Sequence, residues 1–117
     1  MIVLDASALL AFLFREEGSE RVAEVLGESC MSAVNLSEVI GRFVRDGHSA
    51  VEVAERLKTS PIELVPFLSE DAAIAATLIP ATSLHGLSLA DRACLSLAVA
   101  RNAPVITADR VWRRLDL

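Results

Sequence analysis

Apolar positions recur along the chain in two spacings, and their alternation sets out the order of elements. "IVLD", Ile2 to Asp5, is a short apolar run ended by an acid and followed by "ASALLAFLF", which reads as a buried strand feeding a helix. In "SERVAEVLGE" the residues Val22, Val25 and Leu26 fall on one helical face, with Ser19 as N-cap. "SCMSA" is a weaker strand candidate. The stripe Leu36, Val39, Ile40, Phe43 and Val44 predicts an amphipathic helix over Asn35 to Arg45, capped by Asn35 or Ser32. "HSAVEVAERLKTS" predicts another helix, which Pro61 ends ahead of the apolar alternation of "IELVPF". "SEDAAIAATLI" predicts a helix stopping at Pro80.

The last third opens with "HGLSLADRACLSLAVA", residues 85–100, a run of small and apolar residues interrupted by Asp91 and Arg92. Val105 and Ile106 follow as a short buried strand, and Trp112 lies on a final helix. Strands alternating with helical segments predict an α/β fold of three layers, α/β/α, around a short and mainly parallel central sheet. No internal repeat or linker interrupts the order.

Composition narrows this picture. A chain of 117 residues fits one domain. It is 53% hydrophobic but only 4% aromatic and has no Tyr, so the core must be built from small aliphatic side chains that let helices pack closely on a sheet. No apolar run reaches the roughly 18 residues of a membrane span, and Asp5 interrupts the N-terminus, which predicts a cytoplasmic protein with no membrane association. Cys30 and Cys94 lie far apart, without a CxxC pair and with only two histidines in the chain, which argues against a zinc site or a disulfide framework. The net charge of −5 argues against binding nucleic acid through a broad basic face. That objection eases if several of the negative charges converge on a cation.

Four acids stand where such convergence is expected. Ligands of open parallel sheets bind beyond the carboxyl ends of the strands, where helix N-termini also point. Asp5 directly follows the first strand and Asp109 lies just past the last; Glu38 and Asp91 fall near the starts of the helices beginning around Asn35 and Ser88. Each acid alone also reads as a helix cap, "SLAD" and "NLSE" both having the spacing of a capping box. Together they are harder to explain. Two unit charges about 4 Å apart repel by about 4 kcal/mol at an effective dielectric constant near 20, so a crowd of carboxylates needs protons or a cation. Oxygen-only ligands suit Mg²⁺ or Mn²⁺, ions that commonly engage phosphate.

"MIVLDASALLAFL", "NLSEV", "GLSLADRACLSLA" and "VITADRVW", in this order and at these separations, resemble a PIN-domain protein, specifically the VapC-like toxin ribonuclease of a type II toxin–antitoxin pair. The resemblance spans residues 1–117 as a single PIN-like domain; it departs at "RLDL", past which relatives usually continue into one more short edge strand. It implies that Asp5, Glu38, Asp91 and Asp109 are the catalytic, metal-binding acids, with Ser7 and Thr107 supporting them. It further implies Mg²⁺- or Mn²⁺-dependent endonucleolytic cleavage of RNA, inhibition by a cognate antitoxin and a homodimer. Arg92 and Arg110, each directly beside one of the acids, are the candidate phosphate contacts. "ALLAFLF" is apolar almost all round, which fits either deep burial or a surface that receives an antitoxin segment or a second copy. The alternative to a nuclease is a catalytically inactive PIN-fold protein-interaction module. A phosphotransfer domain fits poorly, because "DAS" lacks a second acid and no lysine follows the last strand.

Overall fold

The computed structural model describes residues 1–108. At its centre, β1 (Ile2–Leu4) is flanked in parallel by β2 (Ser29–Ser32) on one side and β4 (Val105–Ile106) on the other, and β3 (Glu63–Val65) extends the sheet beyond β2. The order β3-β2-β1-β4 places the change of winding direction at β1, so the crevice above its carboxyl end is where a ligand is expected in a fold of this kind. An inner strand covered on both faces must be apolar at successive positions, which is why "IVL" shows no alternation.

The pleat sorts these residues onto two cores. Leu4 and Met31 face one side, where they pack with Ala8 and Leu9 of α1 (Ala6–Leu13), Val22 of α2 (Ser19–Val25), Val39 of α3 (Ala33–Arg45) and Leu57 of α4 (Ala50–Lys58). Their neighbours Val3 and Cys30 face the other side, against Cys94, Leu95 and Ala98 of α7 (Leu89–Arg101). Each fully buried aliphatic side chain of this kind contributes about 1.5–3 kcal/mol. The three-layer α/β/α arrangement is thus the one the alternation of strands and helices predicts. Among the described residues no helix is long and apolar enough to cross a membrane.

Local differences from the sequence reading have local causes. The cap of α2 is Gly18, at φ +93°, and Ser19 is its first helical residue. Of the two capping candidates for α3, Ser32 serves: its hydroxyl accepts from Val34 N at 3.2 Å, and Asn35 is carried into the helix. The helix expected to run to Pro80 instead ends at Thr77 as α5 (Ser69–Thr77), and Pro80 lies in the first turn of a short α6 (Ile79–Thr82), where its missing N–H costs nothing. A 3₁₀ turn over Ser83–His85 and Gly86, at φ +67°, then lead to Ser88, the cap of α7, so the first residues of "HGLSLAD" are a loop. In α1, Ala6, Ala8, Leu9 and Ala11 are buried whereas Leu13 emerges, and Phe14 beyond it stacks on Phe43 at 5.4 Å with the Arg42 guanidinium 4.8 Å above its ring. The expected final helix with Trp112 lies outside the described residues.

Candidate functional site

Asp5 leaves β1 as the cap of α1 and is 4% exposed. Its Oδ1 accepts from Ala8 N at 2.8 Å and from the Ser7 hydroxyl at 2.8 Å, and its Oδ2 accepts from the Thr107 hydroxyl. Ser7 Oγ lies 3.2 Å from Thr107 Oγ1 and accepts from Ala108 N at 2.9 Å. The segments that follow β1 and β4 are thereby joined over the end of the sheet. Burial holds the Asp5 carboxyl above the ordinary carboxylate range; the bonds from Thr107, Ala8 and Ser7 oppose that rise, and the nearby charge of Asp91 adds to it.

Asp91 is half-buried in the first turn of α7 and completes a capping box: Ser88 N donates to Asp91 Oδ2 at 2.9 Å and Asp91 N donates to Ser88 Oγ at 3.2 Å. Its other oxygen, Oδ1, lies outside the box. Glu38, in the second turn of α3, faces solvent, and its Oε1 accepts from Asn35 Nδ2 at 3.2 Å. Displacement of water by the surrounding protein raises the Glu38 carboxyl; Asn35 opposes this, and the charges of Asp91 and Asp5 raise it further.

Three of the four predicted acids therefore feel one another across the carboxyl rim of the sheet, Asp5 at the floor and Glu38 at the edge. Asp109, the fourth, and the neighbouring Arg110 lie outside the described residues. Among the described residues no group of three His, Cys, Asp or Glu side chains stands close enough to hold one ion. Asp5 is turned to α1 and Thr107, Asp91 to Ser88 and Glu38 to Asn35. The donor set nevertheless fits a hard divalent cation, being carboxylate oxygens throughout, with hydroxyls from Ser7 and Thr107 behind Asp5.

Arg92 turns back onto its own segment. Its Nη1 donates to the Leu87 carbonyl at 3.0 Å, and its Nε is buried with no hydrogen-bond partner among the described residues. Cys94, one turn along α7 from Asp91, is fully buried, and burial followed by the charges of Asp5 and Asp91 pushes its thiol well above the ordinary range. It packs as a small apolar residue and is a poor nucleophile. A cavity of about 340 Å³ between the end of α1 and α4, lined by Leu13, Phe43, His48 and Arg56 among others, includes none of the acids.

One residue of the site escapes the sequence reading. Asn35 is 1% exposed, and its Nδ2 reaches both Glu38 Oε1 and, at 3.0 Å, the Ala90 carbonyl of α7. The spacing N-x-x-E was the available signal, but it equally describes a cap, and only the position of Ser32 decides between the two.

Residues 2–117 match the family model of the PIN domain. The chain belongs to the PIN-domain family. Its fold is shared by chains in several solved complexes. With VapBC2 from Rickettsia felis, bound to a DNA fragment from its promoter, the TM-score is 0.69 at 20% identity, covering 98% of this chain and 93% of that one. A toxin-antitoxin complex from Klebsiella pneumoniae gives 0.70 at 17% identity, over 93% of this chain and 87% of the other. FitAcB from Neisseria gonorrhoeae gives 0.68 at 24% identity, over 93% and 88%. Comparison with curated proteins yields no match. At these identities the likeness to the solved complexes is one of fold.

Proposed function

We propose that this PIN-domain protein is a metal-dependent endoribonuclease toxin that hydrolyses RNA phosphodiester bonds and is inhibited by a cognate antitoxin. What supports this reading is the match of residues 2–117 to the PIN-domain family, with Asp5 at the carboxyl end of β1 and Asp91 in the first turn of α7. In it, Asp5, Glu38, Asp91 and Asp109 would hold Mg²⁺ or Mn²⁺, and the ion would supply Lewis-acid polarisation of a phosphate and activation of water. Ser7 and Thr107 fix the orientation of Asp5 through the hydrogen bonds described above. Ser88 fixes Asp91 so that one oxygen serves the helix and the other is available to a ligand. Arg92 and Arg110 are the candidate phosphate contacts; for Arg92 this requires the guanidinium to serve substrate while Nη1 remains on Leu87.

The toxin part of the reading draws on fold likeness to a complex described as toxin-antitoxin. The exposed end of α1, with Leu13 and Phe14, is an apolar surface suited to an antitoxin segment or to a second copy in a homodimer. The reading expects a cytoplasmic protein. One observation favours the other reading, a catalytically inactive interaction module: Asp5, Glu38 and Asp91 each already accept from at least one local donor. Incubation of the purified protein with RNA separates the two. The nuclease reading expects cleavage with Mg²⁺ or Mn²⁺ that is abolished by chelator and by Asp5→Asn or Asp91→Asn, and a melting temperature that rises with the metal. Full cleavage by both variants, or no cleavage and no metal-linked rise, rejects it.

A further inference from the structure

Asn35 is an expensive residue for its place. It sits in the third position of α3, 1% exposed, where an asparagine lowers helix propensity and where burying an amide is unfavourable unless its hydrogen bonds are made. The amide must therefore be explained by what it binds.

Its orientation follows from its partners. Nδ2 lies 3.2 Å from Glu38 Oε1 and 3.0 Å from the Ala90 carbonyl, and both are acceptors, so a flipped amide would bring oxygen against two oxygens. One nitrogen thus ties the carboxylate of α3 to the backbone of α7 immediately before Asp91. The bond to Oε1 also differentiates the two Glu38 oxygens, occupying one and leaving Oε2 outside the pair. The amide oxygen Oδ1 is buried and has no donor among the described residues, so the amide is placed for its two donated bonds and not for full satisfaction.

We propose that Asn35 is a positioning residue that fixes the Glu38 carboxylate relative to the first turn of α7, setting the separation of Glu38 from Asp91 for cation binding. The proposal rests on the metal-dependent reading above. It assigns to Asn35 no contact with substrate: its action passes through Glu38 on one side and Ala90 on the other.

The test is Mn²⁺ binding by calorimetry to the full chain in four forms: wild type, Asn35→Ala, Glu38→Gln and the double variant, each first shown to be folded by circular dichroism. Loss of an outer hydrogen bond to a metal ligand weakens affinity by about 10- to 100-fold. Asn35→Ala is expected to weaken Mn²⁺ binding by that factor in the wild-type background and by less than about threefold when Glu38 is already Gln, because non-additivity marks residues acting through one another. Equal weakening in both backgrounds, or none, overturns the positioning role while leaving metal binding intact. No Mn²⁺ binding by wild type overturns the metal-dependent reading and this proposal with it.

A second measurement needs no substitution at Asn35. The chain has two asparagines, Asn35 and Asn102, and no glutamine, so its side-chain NH₂ spectrum contains two pairs of resonances. Asn102 caps the far end of α7 and serves as the internal control. Addition of Mg²⁺ is expected to shift the Asn35 pair and leave the Asn102 pair in place, and Glu38→Gln is expected to abolish the response. An Asn35 pair indifferent to Mg²⁺ in a wild type that binds the ion overturns the proposal.

Discussion

The Thr107 hydroxyl donates to Asp5 Oδ2, so the residues immediately after β4 and β1 meet over the end of the sheet, 102 positions apart in sequence. This bond, with those from Ser7 and Ala8, is what keeps a carboxylate oriented in a place that burial disfavours. Thr107→Val preserves shape and removes the proton. It is expected to cost about 1.5–3 kcal/mol in urea denaturation with chelator present, the usual worth of a hydrogen bond to a charged group left unreplaced. Thr107→Ser restores the donor and should recover most of that loss along with RNA cleavage. Equal behaviour of the two variants would show the bond to be incidental.

At the opposite end of the molecule an exposed pair contributes to the response to acid. Arg101 of α7 holds both oxygens of Glu63 at 2.8 Å, and this holds the Glu63 carboxyl below the ordinary range. A depressed carboxyl contributes stability above its unfolded pKa and loses it as pH falls through the folded value. Asp5 and Glu38 have raised carboxyls and run with the opposite sign: their contribution is present below the unfolded values and lost as pH rises through the folded ones. Thermal melting of wild type and Glu63→Gln therefore isolates one pair. The wild type should lead at neutral pH by a small margin, since the pair is solvated, and the gap should close as pH falls below the unfolded glutamate value of about 4.3. A gap that is constant with pH sinks the assignment.

Cys94 lies below the carboxylates, and its thiol is held neutral by burial and by their charge. Thiol reagents should leave it unmodified in the native protein and react only on unfolding. Cys94→Ala is expected to cost about 1 kcal/mol through the small cavity it opens and to leave RNA cleavage unchanged. Inactivation by a thiol reagent under native conditions would contradict this.

How far the sequence determines this site can be traced residue by residue. The stripe of α3 is legible because one face of that helix meets the sheet and the other meets water. α7 shows no such stripe, since it packs on α3, α5 and the strands together, and its small residues are buried nearly all round. β2 is the least legible inner element: Ser29 and Ser32 carry no strand preference, and pairing of Ser29 with Ile2 of β1 and of Ser32 with Val65 of β3 makes them strand. Asp5 and Asp91 were legible twice over, as caps and as acids at a rim, because both roles ask for an oxygen at the start of a helix. Asn35 was legible only as a cap, because its bond to Ala90 joins residues 55 positions apart and leaves no local pattern.

The two roles of Asp91 can be separated by substitution. Ser88→Ala removes the hydroxyl that accepts from Asp91 N and should cost about 1 kcal/mol of stability, as N-cap losses do. Asp91→Asn keeps an oxygen able to accept from Ser88 N, so the box survives. It gives up the favourable charge at the helix N-terminus, about 0.3–1 kcal/mol, while relieving repulsion with Asp5 and Glu38, and the metal-free stability should change little. Cleavage is expected to follow the reverse order: Ser88→Ala active in proportion to its folded fraction, Asp91→Asn inactive and without a metal-linked rise in melting temperature. Chemical denaturation in chelator and an RNA cleavage assay on the same preparations decide it. If Asp91→Asn cleaves RNA as the wild type does, the carboxylate belongs to the helix alone.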